Sequence, residues 1–214
     1  MADSSAKTIP LNENADDVKS RLANFQREQE KTSLTMYFGY GSNLWKEQMS
    51  LRCPSSIFRG VGRLPGYRWM INNRGYANVV QTSNAGAEVY GLIYTLTCDD
   101  ERSLDRNEGV PFSYTKEMLS VDFWPSKDGS RPLDVTEEAE QTDMLVYIDR
   151  KRTEDDRPKE EYIHRMNMGI RDGALEGIPQ GYMDRQLRRF IPIDGRKEME
   201  ELAKRQALRF EDET

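Results

Sequence analysis

The most informative pattern of hydrophobic and polar residues lies between residues 34 and 49. The nearly continuous apolar and aromatic run over residues 34–38 predicts a short buried strand. Gly39 and Gly41 follow, and because they lack Cβ atoms they let the chain turn sharply and let a ligand approach backbone N–H groups. Asn43 is a suitable N-cap for a helix that begins at the next residue. The stretch therefore predicts a strand, a turn able to hold an anion, and a helix start.

Other extended segments are predicted where β-branched and aromatic residues cluster between turn residues. These segments cover residues 57–64, 67–72, 77–81, 88–96, 114–124 and 144–148. A polar turn over residues 83–86 separates the third segment (77–81) from the fourth segment (88–96), so we expect these two segments to pair as a hairpin. Gly91 lies within the fourth segment and marks either a β-bulge or a close approach of two backbones.

Apolar residues at helical spacing predict helices around these strands. The predicted helices cover residues 15–29, 44–49, 97–108, 158–176, 178–190 and 196–210. Most strands fall in the first two-thirds of the chain, and helices flank them. The pattern is typical of an α+β fold built on a small mixed, mostly antiparallel β-sheet or β-barrel flanked by helices.

The 214 residues suit one medium-sized domain with extensions. Residues 1–33 form a polar N-terminal extension with one amphipathic helix. Residues 34–192 form the domain, and residues 193–214 form a charged C-terminal helix or tail.

Composition excludes several functional classes. The net charge of −6 argues against nucleic-acid binding, which needs a basic surface, and no apolar run is long enough to span a membrane. Cys53 and Cys98 are expected to be reduced thiols and, with no secretory signal apparent, the expected location is the cytoplasm. Because His164 is the only histidine, a structural zinc site or any other metal site is not expected.

Glu108 is the strongest candidate for acid–base chemistry. It lies at the end of the short helix predicted from Thr97, which Gly109 and Pro111 terminate. The helix macrodipole is negative there, so a buried carboxyl group would have a raised pKa, as a proton-transferring residue requires near neutral pH. The chain has 37 acidic residues, however, and most acidic residues are solvated surface charges.

The turn and Glu108 together resemble a known family. Tyr40-Gly41-Ser42-Asn43 after a buried strand, followed by Leu104-Asp105-Arg106-Asn107-Glu108-Gly109-Val110, is similar to the γ-glutamylcyclotransferase family. The resemblance runs from about Met36 to Pro192. It includes, in order, Arg52-x-Pro54, Glu88-Val89-x-Gly91, Tyr147, Tyr162, Met168-Gly169 and Gly177-x-Pro179.

The resemblance implies an enzyme that acts on a small γ-glutamyl amide. The substrate's α-amine attacks its own γ-carbonyl, which forms 5-oxoproline and releases an amine, with Glu108 as the acid–base catalyst and no cofactor. The same resemblance implies that Tyr40, Gly41, Ser42, Asn43 and Leu44 hold the substrate. Tyr114 is similar to a family tyrosine that could hydrogen-bond the catalytic glutamate, and the family also allows a homodimer.

Several alternatives remain open at this point. Tyr40 could line the pocket or only pack at the strand end. Arg52 could position substrate or form a structural ion pair. The second half of the chain resembles the fungal branch of the family, some of whose members act in pathways for sulfur-containing dioxopiperazine toxins such as gliotoxin.

That branch suggests a glutathione-derived conjugate as substrate. Turnover of γ-glutamyl amino acids or glutathione is the alternative substrate hypothesis. A non-catalytic binding protein of the same fold is a second alternative, and a serine hydrolase that uses Ser42 is a third.

Overall fold

The computed structural model describes residues 19–21, 34–127 and 132–193. The chain divides into two units, Met1–Ser33 and Leu34–Thr214. In the first unit only residues 19–21 are described, and they are helical, so most of the predicted helix at 15–29 lies outside the described residues. The predicted helix at 196–210 also lies outside them.

Seven strands occur in the described part of the second unit. They are β1 (Thr35–Gly39), β2 (Ile57–Pro65), β3 (Tyr67–Ile71), β4 (Ala77–Gln81), β5 (Glu88–Leu96), β6 (Thr115–Pro125) and β7 (Glu140–Ile148). Five of them close into a barrel in the order β1-β5-β2-β6-β7. Neighbouring strands are antiparallel except β7 and β1, which are parallel where the barrel closes.

Helices flank this barrel, which confirms the predicted α+β class. They are α1 (Lys46–Arg52), α2 (Cys98–Asn107), α3 (Glu160–Glu176) and α4 (Gln180–Tyr182), and a π-helical turn over Met183–Leu187 continues α4. The helix observed in place of the one predicted over residues 178–190 is therefore shorter and less regular than expected. None of the helices within the described ranges is long and apolar enough to cross a bilayer.

The predicted pairing of residues 77–81 with residues 88–96 is wrong. β4 pairs with β3, whereas β5 pairs with β1 and β2. The ladder between β2 and β5 continues to its end at Pro65 and Glu88, and the N–H group of Gly66 then donates to the carbonyl of Ala87 (2.8 Å). The β3–β4 hairpin is therefore an insertion in the chain between β2 and β5, which pair directly with each other.

Gly91 lies at a close approach between strands, as one of the two sequence interpretations proposed. A Cβ atom at this position would lie 2.7 Å from the carbonyl oxygen of Gly39 and 2.8 Å from the ring of Phe38. The bulge of this ladder is in β2 instead, between Phe58 and Gly60. Neither the backbone oxygen nor the buried ring can move away easily. Only glycine therefore fits at this position, where β5 pairs with β1.

We expect Gly91→Ala to destabilise the barrel by about 2–3 kcal/mol, since the added methyl group overpacks the core. Gly86→Ala is the control, because Gly86 has a positive φ of 82° but nothing within 4 Å of the added Cβ. The control should lose about 1 kcal/mol from backbone strain alone. Urea denaturation of both variants measures the difference, and equal losses would contradict the steric explanation.

Helix α2 is short for the reasons that the sequence indicated. The hydroxyl of Thr97 accepts from the N–H group of Asp100 (3.2 Å), and the Asp100 carboxylate accepts from the N–H group of Thr97 (3.2 Å). This capping box fixes the start of the helix. Gly109, with a φ of 62°, follows its last turn, so Glu108 becomes the C-cap residue.

Helix α3 places an unexpected residue in the interior. It begins at Glu160, two residues after Pro158, and ends at Gly177, whose φ is 112°. Its buried residues include Tyr162 and Met166 but also the charged Arg165. Hydrophobic periodicity assigns charged side chains to the solvent face, so this burial was not visible in the sequence.

Candidate active site

The turn after β1 brings Asn43 into the interior, where it connects four side chains. Its Nδ2 donates to the Tyr37 hydroxyl (2.8 Å) and to Glu108 Oε1 (3.3 Å). Its Oδ1 accepts from Gln48 Nε2 (2.8 Å) and from Arg52 Nη1 (3.1 Å). All the hydrogen-bonding capacity of the amide is thus used, and Asn43 holds the Glu108 carboxyl group against the turn.

The prediction that Asn43 caps a helix is wrong. A 3₁₀ turn covers Ser42–Leu44, and α1 begins only at Lys46. The N–H group of Lys46 donates to the carboxylate of Asp172 (3.0 Å), so a side chain of the protein occupies the helix N-terminus. The side chain of Asn43 turns inward because Glu108, Arg52 and Gln48 offer it better partners.

Glu108 reaches the turn from the end of α2. Burial raises the pKa of its carboxyl group above the usual range, while the positive charge of Arg52 and the hydrogen bond from Asn43 lower it in part. The sequence analysis predicted the direction of this shift from the helix dipole. The largest cause is the removal of the carboxyl group from water, which agrees with the burial on which that prediction depended.

Tyrosine hydroxyls surround the turn. Tyr40 donates to the carbonyl of Tyr147 (2.6 Å), so it both packs at the strand end and lines the cavity. The Tyr114 hydroxyl donates to the carbonyl of Ala77 (2.8 Å) rather than to Glu108. The expected hydrogen bond between Tyr114 and the glutamate is therefore absent, because the ring extends toward β4.

The hydroxyl of Tyr162 closes the turn from α3. It accepts from the N–H group of Ser42 (3.1 Å) and from that of Ala77 (3.3 Å). A Cβ atom on Gly41 would lie 2.9 Å from this hydroxyl, so the second glycine of the turn makes room for Tyr162. Burial raises the pKa of Tyr162 to about 12, which keeps the phenol neutral at physiological pH.

These side chains enclose a cavity of about 40 Å³. The lining is aromatic and polar and comprises Tyr37, Tyr40, Gly41, Ser42, Asn43, Arg52, Tyr76, Ala77, Glu108, Tyr114, Tyr147, Tyr162 and Arg165. The structure thus brings together six of the seven predicted site residues. The exception is Leu44, which is 1% exposed and packs in the core beside Gly169 of α3.

Two buried arginines give the cavity positive charge. Arg52 is 6% exposed and Arg165 is 2% exposed, and both lie in the lining. Burial, together with the neighbouring charge of Arg165, lowers the pKa of Arg52. The sequence analysis did not identify Tyr37, Tyr76, Ala77 or Arg165 as site residues, and only tertiary packing brings them together.

No group of three or more histidine, cysteine, aspartate or glutamate side chains that could hold a metal ion occurs within residues 19–21, 34–127 and 132–193. The chemical groups that the cavity offers are one carboxyl group of raised pKa, two guanidinium groups, several phenols and the backbone of a turn. Such a set can transfer a proton and hold an anionic or carbonyl oxygen.

Comparison with known proteins points to one family. Residues 37–164 match the model of the family described as "Gamma-glutamyl cyclotransferase, AIG2-like". The chain is 34% identical over 85 residues to the γ-glutamylcyclotransferase of Bos taurus, a match that covers 35% of this chain and 44% of that protein. The chain therefore spans less than half the length of the curated relatives it matches.

Solved structures agree with this match. A structure titled "Gamma-glutamyl cyclotransferase" has a TM-score of 0.62 and 25% identity, over 81% of this chain and 99% of that one. The structure of an uncharacterized Homo sapiens protein also has a TM-score of 0.62, with 26% identity over 80% of this chain and 98% of that one. The family match covers more than half of the chain, from β1 into α3, and includes the turn and Glu108. This chain belongs to the gamma-glutamyl cyclotransferase, AIG2-like family.

Proposed function

We propose that this protein is a γ-glutamylcyclotransferase that converts a γ-glutamyl amide into 5-oxoproline and a free amine. The observation that carries the proposal is the hydrogen bond between Asn43 and the Glu108 carboxyl group, whose pKa is raised, inside a cavity lined by the turn after β1. A carboxyl group of raised pKa can accept and return a proton near neutral pH.

The reaction needs no nucleophile from the protein. Glu108, as the carboxylate, takes a proton from the substrate's α-ammonium group, and the amine then attacks the γ-carbonyl carbon. A new C–N bond closes the five-membered ring, and the original amide C–N bond breaks. Glu108 passes this first proton to solvent, takes the second proton that the ring nitrogen loses as the lactam forms, and transfers it to the departing nitrogen. The amine product is then protonated in solvent, so the enzyme ends each cycle in its starting state. Holding the substrate folded for ring closure supplies further acceleration.

Tyr162 is suited to stabilise the oxyanion of this reaction. Its hydroxyl oxygen already accepts hydrogen bonds from the N–H groups of Ser42 and Ala77. Its own hydrogen is therefore directed toward a third partner, which the substrate can supply. Because the raised pKa keeps the phenol neutral, it can act as a donor throughout the cycle.

Ser42 is less suited to act as a nucleophile. Its hydroxyl oxygen accepts from Gln48 Nε2 (2.9 Å), which is an amide donor and cannot serve as a base. Among the described residues, no histidine or carboxylate forms a hydrogen bond with this hydroxyl. The serine therefore lacks the adjacent base that nucleophilic catalysis requires, and we assign it to the structure of the turn.

The size of the cavity favours recognition through the γ-glutamyl end of the substrate. A volume of about 40 Å³ accepts only a few water-sized groups, so the amine portion extends outside. Both substrate classes suggested by the sequence meet this requirement: a γ-glutamyl amino acid or glutathione, and a glutathione-derived conjugate of fungal sulfur metabolism. We propose the smaller γ-glutamyl compounds first, because the γ-glutamyl end that the cavity recognises is all that they require.

The experiment is a screen for 5-oxoproline release. Purified protein is incubated with γ-glutamyl-alanine, glutathione and a bulky glutathione S-conjugate, and 5-oxoproline is measured by mass spectrometry. We expect release from at least one compound, with γ-glutamyl-alanine turned over as well as or better than the conjugate. Clear preference for the conjugate would assign the enzyme to sulfur metabolite synthesis, and no release from any compound would support the non-catalytic alternative.

Cellular setting is a separate part of the proposal. Cys53 is buried in the core, and neither it nor Cys98 forms a disulfide. Thiols that stay reduced are the rule in the cytoplasm, where we place the enzyme. The resemblance to the family further suggests a homodimer, which sedimentation analysis of the full chain would test.

A further inference from the structure

Arg165 is a buried cation whose hydrogen-bonding capacity is largely unused. Its side chain is 2% exposed and lines the cavity. A guanidinium group has five N–H donors. Among the described residues Arg165 makes one hydrogen bond, from Nη2 to Glu161 Oε1 (3.2 Å), and its buried Nε has no partner.

The described residues around Arg165 hold its side chain in place but leave most of its hydrogen-bond donors without an acceptor. The rings of Tyr162 and Tyr76 lie 5.0 and 5.8 Å from its guanidinium carbon, close enough for cation–π contact. Its ion-pair partner Glu161 also accepts from the Tyr76 hydroxyl (3.3 Å) through the same oxygen. A charge this deeply buried is costly unless further hydrogen bonds satisfy it, so the arrangement suits a ligand that supplies acceptors.

The chemistry of that ligand follows from the shape of the donor group. Adjacent N–H groups of a guanidinium match the two oxygens of a carboxylate. In a γ-glutamyl compound the α-carboxylate is attached to the same carbon as the reacting amine, so it enters the cavity together with that amine. Arg165 is also near enough for its charge to act on Glu108.

We propose that Arg165 binds the α-carboxylate of the γ-glutamyl group, and thereby makes a free α-carboxylate a requirement for substrates. This inference rests on the proposed function and refines it. The α-carboxylate is then held from α3, so the Tyr162 hydroxyl remains available for the γ-carbonyl oxygen. Because an amino acid leaving group also carries a carboxylate, the test must separate the two sources.

The test uses three substrates and four proteins. The substrates are γ-glutamyl-alanine, its analogue with an α-carboxamide, and γ-glutamyl-ethylamide, whose leaving group has no carboxylate. The proteins are the wild type, Arg165→Met, Arg165→Lys and the control Arg171→Met. Arg171 is on the same helix, and its side chain is 62% exposed. Steady-state measurement of 5-oxoproline release gives kcat and KM for each pair.

We expect Arg165→Met to lower kcat/KM about 100-fold on both substrates that have an α-carboxylate, mainly through KM, as loss of a charge-assisted bidentate contact predicts. The wild type should lose a similar factor on the α-carboxamide, and Arg165→Met should add no further loss there. Arg165→Lys should be intermediate, since it keeps the charge without the planar fork. The control should match the wild type on every substrate.

Two outcomes would overturn the proposal. Equal wild-type turnover of γ-glutamyl-alanine and of its α-carboxamide analogue would show that the enzyme does not recognise the α-carboxylate. A loss in Arg165→Met that is confined to γ-glutamyl-alanine and absent with the ethylamide would assign Arg165 to the leaving group.

A binding measurement keeps the inference independent of variant folding and of catalysis. Calorimetry on the wild type should detect binding of 5-oxoproline, and at least tenfold weaker binding of its carboxamide. Equal binding of both would overturn the role of Arg165. Absence of 5-oxoproline release from every substrate would overturn the proposed function alone, because the difference in binding does not depend on turnover.

Discussion

Glu108→Gln is expected to lower kcat for 5-oxoproline release about 1,000-fold, within the range that general acid–base catalysis contributes. The glutamine keeps the shape of the side chain and can still accept the hydrogen bond that Asn43 donates to Oε1. It cannot take a proton from the substrate's ammonium group or return one to the leaving amine. Substrate binding should change much less, so the loss should appear in kcat.

Folding should not suffer from this substitution. The pKa of Glu108 is raised in the folded state, so the folded protein binds more protons at this group than the unfolded chain does. Stability from this group is therefore lost as the pH rises from the unfolded pKa through the folded pKa. At neutral pH the neutral glutamine avoids that loss, and we expect an equal or higher Tm for Glu108→Gln.

The matched control is Asp99→Asn, on the same helix. The Asp99 side chain is 90% exposed and pairs with Arg102 on the solvent face. This change also neutralises one carboxylate of α2 but leaves the cavity untouched, so activity should stay near the wild-type value. Wild-type kcat in Glu108→Gln would remove Glu108 from the mechanism.

Asn43→Asp should shift the pH profile of the reaction upward. In the wild type, kcat/KM should rise with pH as Glu108 loses its proton, at a pH above the ordinary range for glutamate. The substitution replaces a hydrogen-bond donor 3.3 Å from Glu108 with a second carboxylate. Like charges at this distance raise one of the two pKa values strongly, so the rising limb should move up by about one pH unit or more.

At neutral pH this shift should lower kcat/KM about tenfold, because one pKa unit is a factor of ten in the deprotonated fraction. The control is Asn84→Asp in an exposed turn, which adds the same charge far from the cavity. An unmoved rising limb in Asn43→Asp would show that the ionisation of Glu108 does not control the rate.

Local sequence signals predicted the elements well. The apolar run over residues 34–38 is β1, and Gly109 and Gly177 end α2 and α3 as expected. Each of these features depends on residues a few positions apart, through backbone preferences and capping. The predicted β4–β5 hairpin was wrong because the partner of a strand is chosen among all strands of the barrel, and β2 competes for β5 with a longer ladder.

The residues of the candidate site also fall into those that the sequence predicted and those that it did not. The resemblance located the turn and Glu108, and the structure brings them into hydrogen-bond contact. The resemblance also implied that Leu44 holds the substrate, yet the 3₁₀ turn directs Leu44 into the core. Arg165 was missed because charged residues are normally solvent-exposed, and no pattern within one helix indicates that aromatic rings from other elements will cover one.

The sequence by itself thus determined the α+β class, the ends of the main helices, the turn after β1 and the identity of the candidate acid–base residue. Tertiary structure alone decided which strands pair, that Asn43 connects to Glu108 instead of capping a helix, and that Arg165 is buried at the cavity. The physical reason is one of range. Backbone propensity and capping act within a few residues. Desolvation, ion pairing and strand partnership depend on segments that are far apart in the sequence, such as Asn43 and Glu108 or Ser42 and Tyr162.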